Sequence, residues 1–401
     1  MGRYLDTVPF SGIIRIRDMM YGVSNPFRLD QGDVSFDAPD SVKQGMLTAI
    51  AGNHSHYLQT TGLPRLRELI AEKLRRRNGL PVASADEVLV TTGGVHALYL
   101  ACQALLDIGD EVIIPDPTWP PMVSCIMGAH GVPVGCRLHE HLGWRFDPGE
   151  LASKITPRTR AIYVNSPHNP TGGVLTREDL EAIAELARRH DLWLISDEAY
   201  EDVIYDGTPH VSIGSFEGMH DRTLSVFTFS KSYAMTGLRL GYVVAKSPVV
   251  QSRITKILFC TCSNVTSVVQ FGGIGALEGP QDVVTGFVRE LDARRHLFYE
   301  GLRRAAPGVL SGQIPRGAFY AFLRIDPSWQ PTPSAHPHGV PESRSWALVE
   351  ELITRGRIGS VPGVEFGPHG EDHVRFCFSR SRDELQGALD SMRALFLGPE
   401  S

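Results

Sequence analysis

Between about residues 85 and 245 the chain alternates short β-branched runs with amphipathic helical patterns, and nothing else in the sequence restricts the fold as much. The runs are EVLVTT (87–92), EVIIPD (111–116), AIYVNSP (161–167), LWLISDE (192–198), LSVFTFS (224–230) and GYVVA (241–245). They are continuously apolar, as strands are when both faces of a sheet are covered. Between them lie helical patterns such as HALYLACQALL and REDLEAIAELARRH, the second opened by Thr176 as N-cap with Asp179 three residues on, an approximate capping box. Strands alternating with helices predict a doubly wound α/β domain around a mostly parallel sheet.

From about residue 286 the texture changes. A long charged helical pattern, FVRELDARRHLFYEGLRRA, leads to two strand candidates, GAFYAFLRI and VRFCFS. These predict a smaller α+β domain over 286–401, joined by an N-terminal segment (1–44), with the large domain spanning 45–285. A chain of 401 residues is expected to hold two such cores. The proline- and histidine-rich stretch WQPTPSAHPHGVPES (329–343) excludes regular structure and reads as a surface loop, with an active-site lid as the sharper alternative.

Composition narrows the function. Thirty-nine Lys and Arg against 45 Asp and Glu leave a net charge of -6, which gives no basic surface for nucleic acid and no polybasic membrane patch. No run approaches the roughly 20 apolar residues that span a bilayer, and the N-terminus lacks the apolar core of a secretory signal. Six cysteines, with no CxxC pair and no zinc spacing, read as reduced residues of a cytoplasmic protein and give no metal site. Cys260 and Cys262 are the one close pair, placed on the same side of an extended segment. Small-molecule chemistry is the class left.

In open α/β sheets ligands bind at the carboxyl ends of the strands, so the residues after each run matter most. After EVLVTT come Gly93 and Gly94, opening a helix; such a turn serves structure alone or offers amides to a phosphate. After EVIIPD comes Trp119, either core or a platform for a flat ring. After AIYVN comes Asn169, in a turn of its own making but able to donate into the crevice. Asp197 ends LWLIS, where a carboxylate is costly without a cation to pair with. Lys231 follows LSVFTFS, with Arg239 eight residues on. A desolvated lysine beside other cations becomes a nucleophile towards carbonyls. Phosphate cradle, ring platform, buried acid and buried lysine together specify a cofactor with a phosphate, an aromatic ring nitrogen and an aldehyde, which pyridoxal 5'-phosphate is.

TFSKSYAMTGLRLGY, with SPHNPTGG and SDEAY upstream, resembles the class I/II aminotransferases, the aspartate aminotransferase-like enzymes of pyridoxal-phosphate fold type I. The resemblance runs from Gly32 in LDQGDVSFDAP to Arg375 in HVRFCFS. It implies that Lys231 carries the cofactor as a Schiff base and shuttles the substrate's α-proton. Asp197 is implied to pair with the ring nitrogen, Tyr200 and Asn169 to hydrogen-bond the phenolic oxygen, and Trp119 to stack on the ring. Gly94, Val95, Thr228 and Arg239 are implied to hold the phosphate, and Tyr57 to reach the phosphate of a neighbouring subunit in a homodimer. Arg375 matches the arginine that clamps the substrate's α-carboxylate, and Gly32 a glycine lining the substrate pocket. His96 and His168 read as structural. Val95 departs from some aspartate-specific relatives, which carry a lysine there.

The resemblance implies an aminotransferase that moves an amino group between an α-amino acid and a 2-oxo acid by ping-pong half-reactions. A pyridoxal-phosphate lyase or decarboxylase of the same fold, such as a C–S lyase, uses the same lysine, aspartate and arginine and stays open. A catalytically silent effector-binding module is a third reading, disfavoured because no basic recognition helix precedes the fold. The donor is not readable: in this family pocket walls come from the segment Ile13 to Arg17, from the small domain, and from Asn264 of the partner subunit.

Overall fold

All six β-branched runs form strands of one sheet in the computed structural model, which describes residues 4–336 and 339–398. The strands are β1 (Val88–Thr91), β2 (Glu111–Asp116), β3 (Val132–His139), β4 (Arg145–Phe146), β5 (Thr159–Asn165), β6 (Trp193–Asp197), β7 (Thr223–Thr228) and β8 (Gly241–Val244). Their order across the sheet is β1-β8-β7-β6-β5-β2-β3-β4. The pairs from β7 through β6, β5 and β2 to β3 are all parallel. β8 runs antiparallel to both its neighbours. The connection from β7 to β8 holds only the four-residue helix Phe229–Ser232, too little for the helical crossover that a parallel return requires.

β3 and β4 escaped the sequence reading for a physical reason. VPVGCRLH carries a proline and a glycine and buries only Cys136 and Leu138, because β3 lies near the sheet edge, with only the two-residue β4 beyond it. Helices cover both faces of the inner strands: Leu98 and Met122 pack on Ile195 from one side, Leu180 and Ile183 on Ile162 from the other. The predicted capping box is present, with Thr176 accepting from the Asp179 amide at 3.2 Å and the Asp179 carboxylate from the Thr176 amide at 2.8 Å.

A second sheet is antiparallel throughout, in the order β11-β12-β10-β9, with β9 (Leu310–Ser311), β10 (Tyr320–Ile325), β11 (Val361–Pro362) and β12 (His373–Cys377). Helices Asp282–Ala305, Arg344–Gly356 and Arg382–Leu397 bury Phe298, Leu352 and Leu385 against it. Ile16, Met20 and Leu29 of the N-terminal segment join this same core, and the Leu29 carbonyl accepts from the Cys377 amide at 2.7 Å.

Two expectations need correction. Cys260 and Cys262 lie on the last turn of helix Pro248–Cys262, not on an extended segment, and Cys260 is exposed. The stretch 329–343 contains a short 3-10 turn, Pro333–Ala335, and its His336 is buried against Glu350 at 3.2 Å and Glu351 at 3.4 Å. Its neighbours Pro337 and His338 lie outside the described residues. No described helix is long and apolar enough to cross a membrane.

Candidate active site

The carboxyl ends of β1, β2, β5, β6 and β7 open on one cavity of about 410 Å³. Because β8 is reversed, Arg239, two residues before its start, arrives at this same end. Chain reversal thus places a cation that a wholly parallel sheet would have left on the opposite rim.

At one corner helix Gly93–Leu105 begins, with the amides of its first turn lacking intrahelical acceptors. Gly93 has φ +77°, and a Cβ there would sit 2.5 Å from Arg239 Nη2. Glycine therefore lets the guanidinium lie against the helix start. Arg239 is itself left-handed (φ +56°) and donates Nη1 to the Thr236 carbonyl at 2.7 Å. Thr228 caps the helix that carries Lys231 by accepting from the Ser230 amide at 3.2 Å.

Asp197 lies across the cavity, 6% exposed. Burial pushes its pKa up to about 6, while two donors work the other way: the Tyr163 hydroxyl at 2.8 Å from Oδ2 and the Ala199 amide at 3.2 Å from Oδ1. Lys231 is lowered to about 8, chiefly by burial, with Arg239 and Arg375 adding to the shift and Asp33 and Cys377 opposing it. Its Nζ donates to the Gly32 carbonyl at 2.6 Å. A Cβ on Gly32 would meet the Tyr320 hydroxyl at 2.5 Å, so only glycine fits between the lysine and that ring.

Arg375 sits mid-strand in β12, 2% exposed, over the rings of Tyr320 and Phe366 at 4.7 and 5.0 Å. Its Nη1 donates to Asn169 Oδ1 at 3.1 Å and its Nη2 to the Asp30 carbonyl at 2.7 Å, and Nε has no partner among the described residues. Asn169 is in turn held by its amide donating to Asn165 Oδ1 at 3.0 Å. The Tyr200 and Tyr320 hydroxyls are 2.6 Å apart. Among the described residues none of Lys231, Arg239 and Arg375 has a carboxylate in its hydrogen-bond set.

The structure thus gathers Lys231, Gly94, Val95, Trp119, Asn169, Asp197, Tyr200, Thr228, Arg239, Gly32 and Arg375 around one space. Gly93 stands just behind the wall, and Tyr57 is 90% exposed and away from the cavity. His168 is buried, pushed down to about 3 by that burial, and bonded to Thr171 at 2.8 Å; His96 is bonded to Thr261 at 3.0 Å, and neither lines the space. Sequence reasoning missed Tyr320, Asn165 and Ser230, which also line it. Ser230 is next to the lysine and Asn165 ends a recognised strand, so position alone could have flagged both. Tyr320 looks like any aromatic in GAFYAFLRI, and only the tertiary fold aims it. The described residues contain no cluster fit to hold a metal ion.

Comparison with known proteins adds an independent line. The family model described as aminotransferase class I and II matches residues 24–392. An aspartate aminotransferase of Pyrococcus abyssi is 35% identical over 98% of this chain and 97% of its own length. An aromatic-amino-acid aminotransferase of Thermococcus litoralis is 33% identical over 97% of this chain and 96% of its own. The solved alanine aminotransferase of Pyrococcus furiosus superposes with a TM-score of 0.90 at 30% identity, covering all of both chains.

Proposed function

The chain belongs to the class I and II aminotransferases and moves an amino group between an amino acid and a 2-oxo acid, and on that premise we propose that Lys231, Asp197 and Arg375 carry the reaction with pyridoxal 5'-phosphate between them. The observation that carries the assignment is that three of the cavity's four cations, Lys231, Arg239 and Arg375, have no carboxylate among their hydrogen-bond partners in the described residues, whereas the fourth, Arg17, is paired with Asp18. Arg375 is buried, Lys231 half-buried and Arg239 exposed, and a desolvated charge without a counter-ion is retained where a ligand supplies one. The cofactor's phosphate at Arg239 and the substrate's carboxylate at Arg375 would supply that counter-charge.

The residues present fit the cofactor. Gly94, Val95, Thr228 and Arg239 would hold its phosphate, Trp119 its ring face, Asp197 its ring nitrogen, and Asn169 Nδ2 with Tyr200 its phenolic oxygen. Bound there, it supplies a carbonyl for the amine and a conjugated ring that accepts the electron pair left when the α-proton departs. Lys231, brought to about 8, would be neutral often enough near neutral pH to serve as the nucleophile that holds the cofactor and as the carrier of the substrate's α-proton. Arg375 presents a planar fork to the α-carboxylate, its rotamer fixed by Asn169 and the Asp30 carbonyl. Ile13, Ile14, Val95 and Leu98 add an apolar face to the cavity beside the polar Arg17 and Gln31, which suits an apolar donor side chain.

Homodimerisation is part of the reading: Tyr57 is exposed on one chain and matches the residue that completes a neighbour's phosphate site. So are a cytoplasmic location and the division into 1–44 with 286–401 against 45–285. The relatives from Pyrococcus abyssi, Thermococcus litoralis and Pyrococcus furiosus are named as aminotransferases, which favours transfer over the lyase reading. Donor mixed with loaded protein, without acceptor, should release one oxo acid per subunit and stop; continuous release with ammonia would sink the transfer reading. Borohydride reduction should leave a pyridoxyl mass on the Lys231 peptide, and a label elsewhere would remove Lys231 from its role.

A further inference from the structure

We propose that Tyr163 is the positioning residue for Asp197, its hydroxyl fixing the carboxylate's rotamer and holding it anionic towards the cofactor's ring nitrogen. The inference rests on the assignment of Asp197 above and concerns a residue that does not line the cavity.

Tyr163 lies in β5, two positions before Asn165, and Asn165 pairs in register with Asp197 of β6. On adjacent parallel strands that places the tyrosine diagonally below the carboxylate. A tyrosine is long enough to span that diagonal, and its hydroxyl donates to Oδ2 at 2.8 Å. The side chain is fully buried among Leu98, Cys102, Met122 and Cys125, an apolar nest in which a hydroxyl has no other reason to be tolerated. Burial and the neighbouring carboxylate hold the phenol far above its ordinary range, so it is always the donor.

Everything else that faces Asp197 leaves the task to Tyr163. The Ala199 amide holds the other oxygen at 3.2 Å. Glu198 raises the carboxyl's pKa, and its own carboxylate turns to Ser196 and His210 at 3.1 and 2.7 Å. Lys231 lowers it weakly from across the cavity. Cys125 is pushed up to about 12 and stays a neutral thiol, and the Tyr200 hydroxyl is engaged with Tyr320. Tyr163 is thus the largest influence opposing desolvation, on a carboxyl already brought close to neutral pH.

A hydrogen bond to a charged group is worth roughly tenfold or more in an equilibrium constant. Tyr163→Phe, which keeps the ring and its packing, should therefore raise the Asp197 titration midpoint by about one pH unit or more. Carboxyl-carbon NMR of the aspartate-labelled apoprotein reads this directly, the signal being identified by its loss in Asp197→Asn. In parallel, the variant's affinity for pyridoxal 5'-phosphate relative to the unchanged chain should fall about tenfold at pH 5 and about twofold at pH 7, and the ratio should close towards one by pH 9, where the carboxyl is ionised in both. Comparing ratios cancels the titration of Lys231 and of the cofactor itself. In the Asp197→Asn background the same substitution should change affinity by less than about twofold. An unshifted midpoint, or an affinity ratio independent of pH, overturns the proposal and reduces Tyr163 to packing. If the midpoint shifts but the unchanged chain binds no pyridoxal 5'-phosphate, the Tyr163–Asp197 pair stands and the cofactor assignment falls.

Discussion

The two sheets deliver chemistry to the cavity in different ways. The eight-stranded sheet does so from strand ends: Gly94, Trp119, Asn169 and Lys231 each follow an apolar run that is buried on both faces. The four-stranded sheet does so from a strand face: Arg375 sits mid-strand opposite Phe322 and Val361, and Tyr320 begins β10. A strand end can hold a polar group without interrupting the core, because the core stops there. A polar group on a buried face has to be held in place, and the two terminal nitrogens of Arg375 are held from the N-terminal segment and from the loop after β5, by the Asp30 carbonyl and Asn169. The large sheet thus carries its polar groups without interrupting its core, whereas the small sheet's arginine depends on acceptors from the N-terminal segment and the loop after β5.

The strongest way to break that contrast is at a strand end. Lys231→Ala should lower turnover by about 10⁴-fold or more, since it removes both nucleophile and proton carrier. Cofactor should still bind non-covalently, because Arg239 and the helix start are untouched, and equilibrium dialysis checks this. Turnover within tenfold of the unchanged chain would show that the strand-end lysine is not the centre. On the strand face the effect should fall on substrate alone. Arg375→Lys should raise KM for amino acids by about 10- to 100-fold through loss of the planar fork, with cofactor affinity within about threefold. Equal losses in both would mean that the two sheets do not divide the work.

The same contrast explains what the sequence disclosed. Asp197 and Lys231 were legible because a charged residue directly after an apolar run is costly unless it serves a ligand. Arg375 was legible only through resemblance, since an arginine in HVRFCFS has the same local signature as a surface ion-pair residue. Tyr163 was not legible at all: within AIYVN it reads as one more apolar strand residue, and only the register of β5 against β6 aims its hydroxyl at Asp197. The sheet's inner strands followed from burial on both faces, but β3 did not, because an edge strand has no continuous apolar run to show.

A smaller effect sharpens the specificity side. Ile14→Ala should raise KM for bulky apolar donors by about tenfold, the usual worth of a few methylene contacts in a pocket, and leave alanine nearly unchanged. A donor panel against one acceptor measures it, and equal losses across the panel would place Ile14 in the fold rather than against the donor side chain.

The smallest effect is on stability. Folding lowers the pKa of Lys231 from its ordinary 10.5 to about 8, so between those pH values the unfolded chain binds the extra proton and stability rises with pH. Below about 8 both states are charged and the full penalty is present. Lys231→Met, apolar and of similar length, should therefore raise the melting temperature of the apoprotein at pH 7 by a few degrees, and the gain should shrink as pH climbs from 8 to 10.5. Asp197 runs with the opposite sign: its raised pKa makes stability fall as pH rises from about 4 to 6, and Asp197→Asn should gain only above that window. Cutting Arg375 to Met should lower stability, because Asn169 Oδ1 and the Asp30 carbonyl are left without the donors that now reach them. Scanning calorimetry of the three apoproteins at pH 7 distinguishes the regions: gains at both strand ends with a loss on the strand face. A gain in all three would mean that the arginine, too, is strained until its substrate arrives.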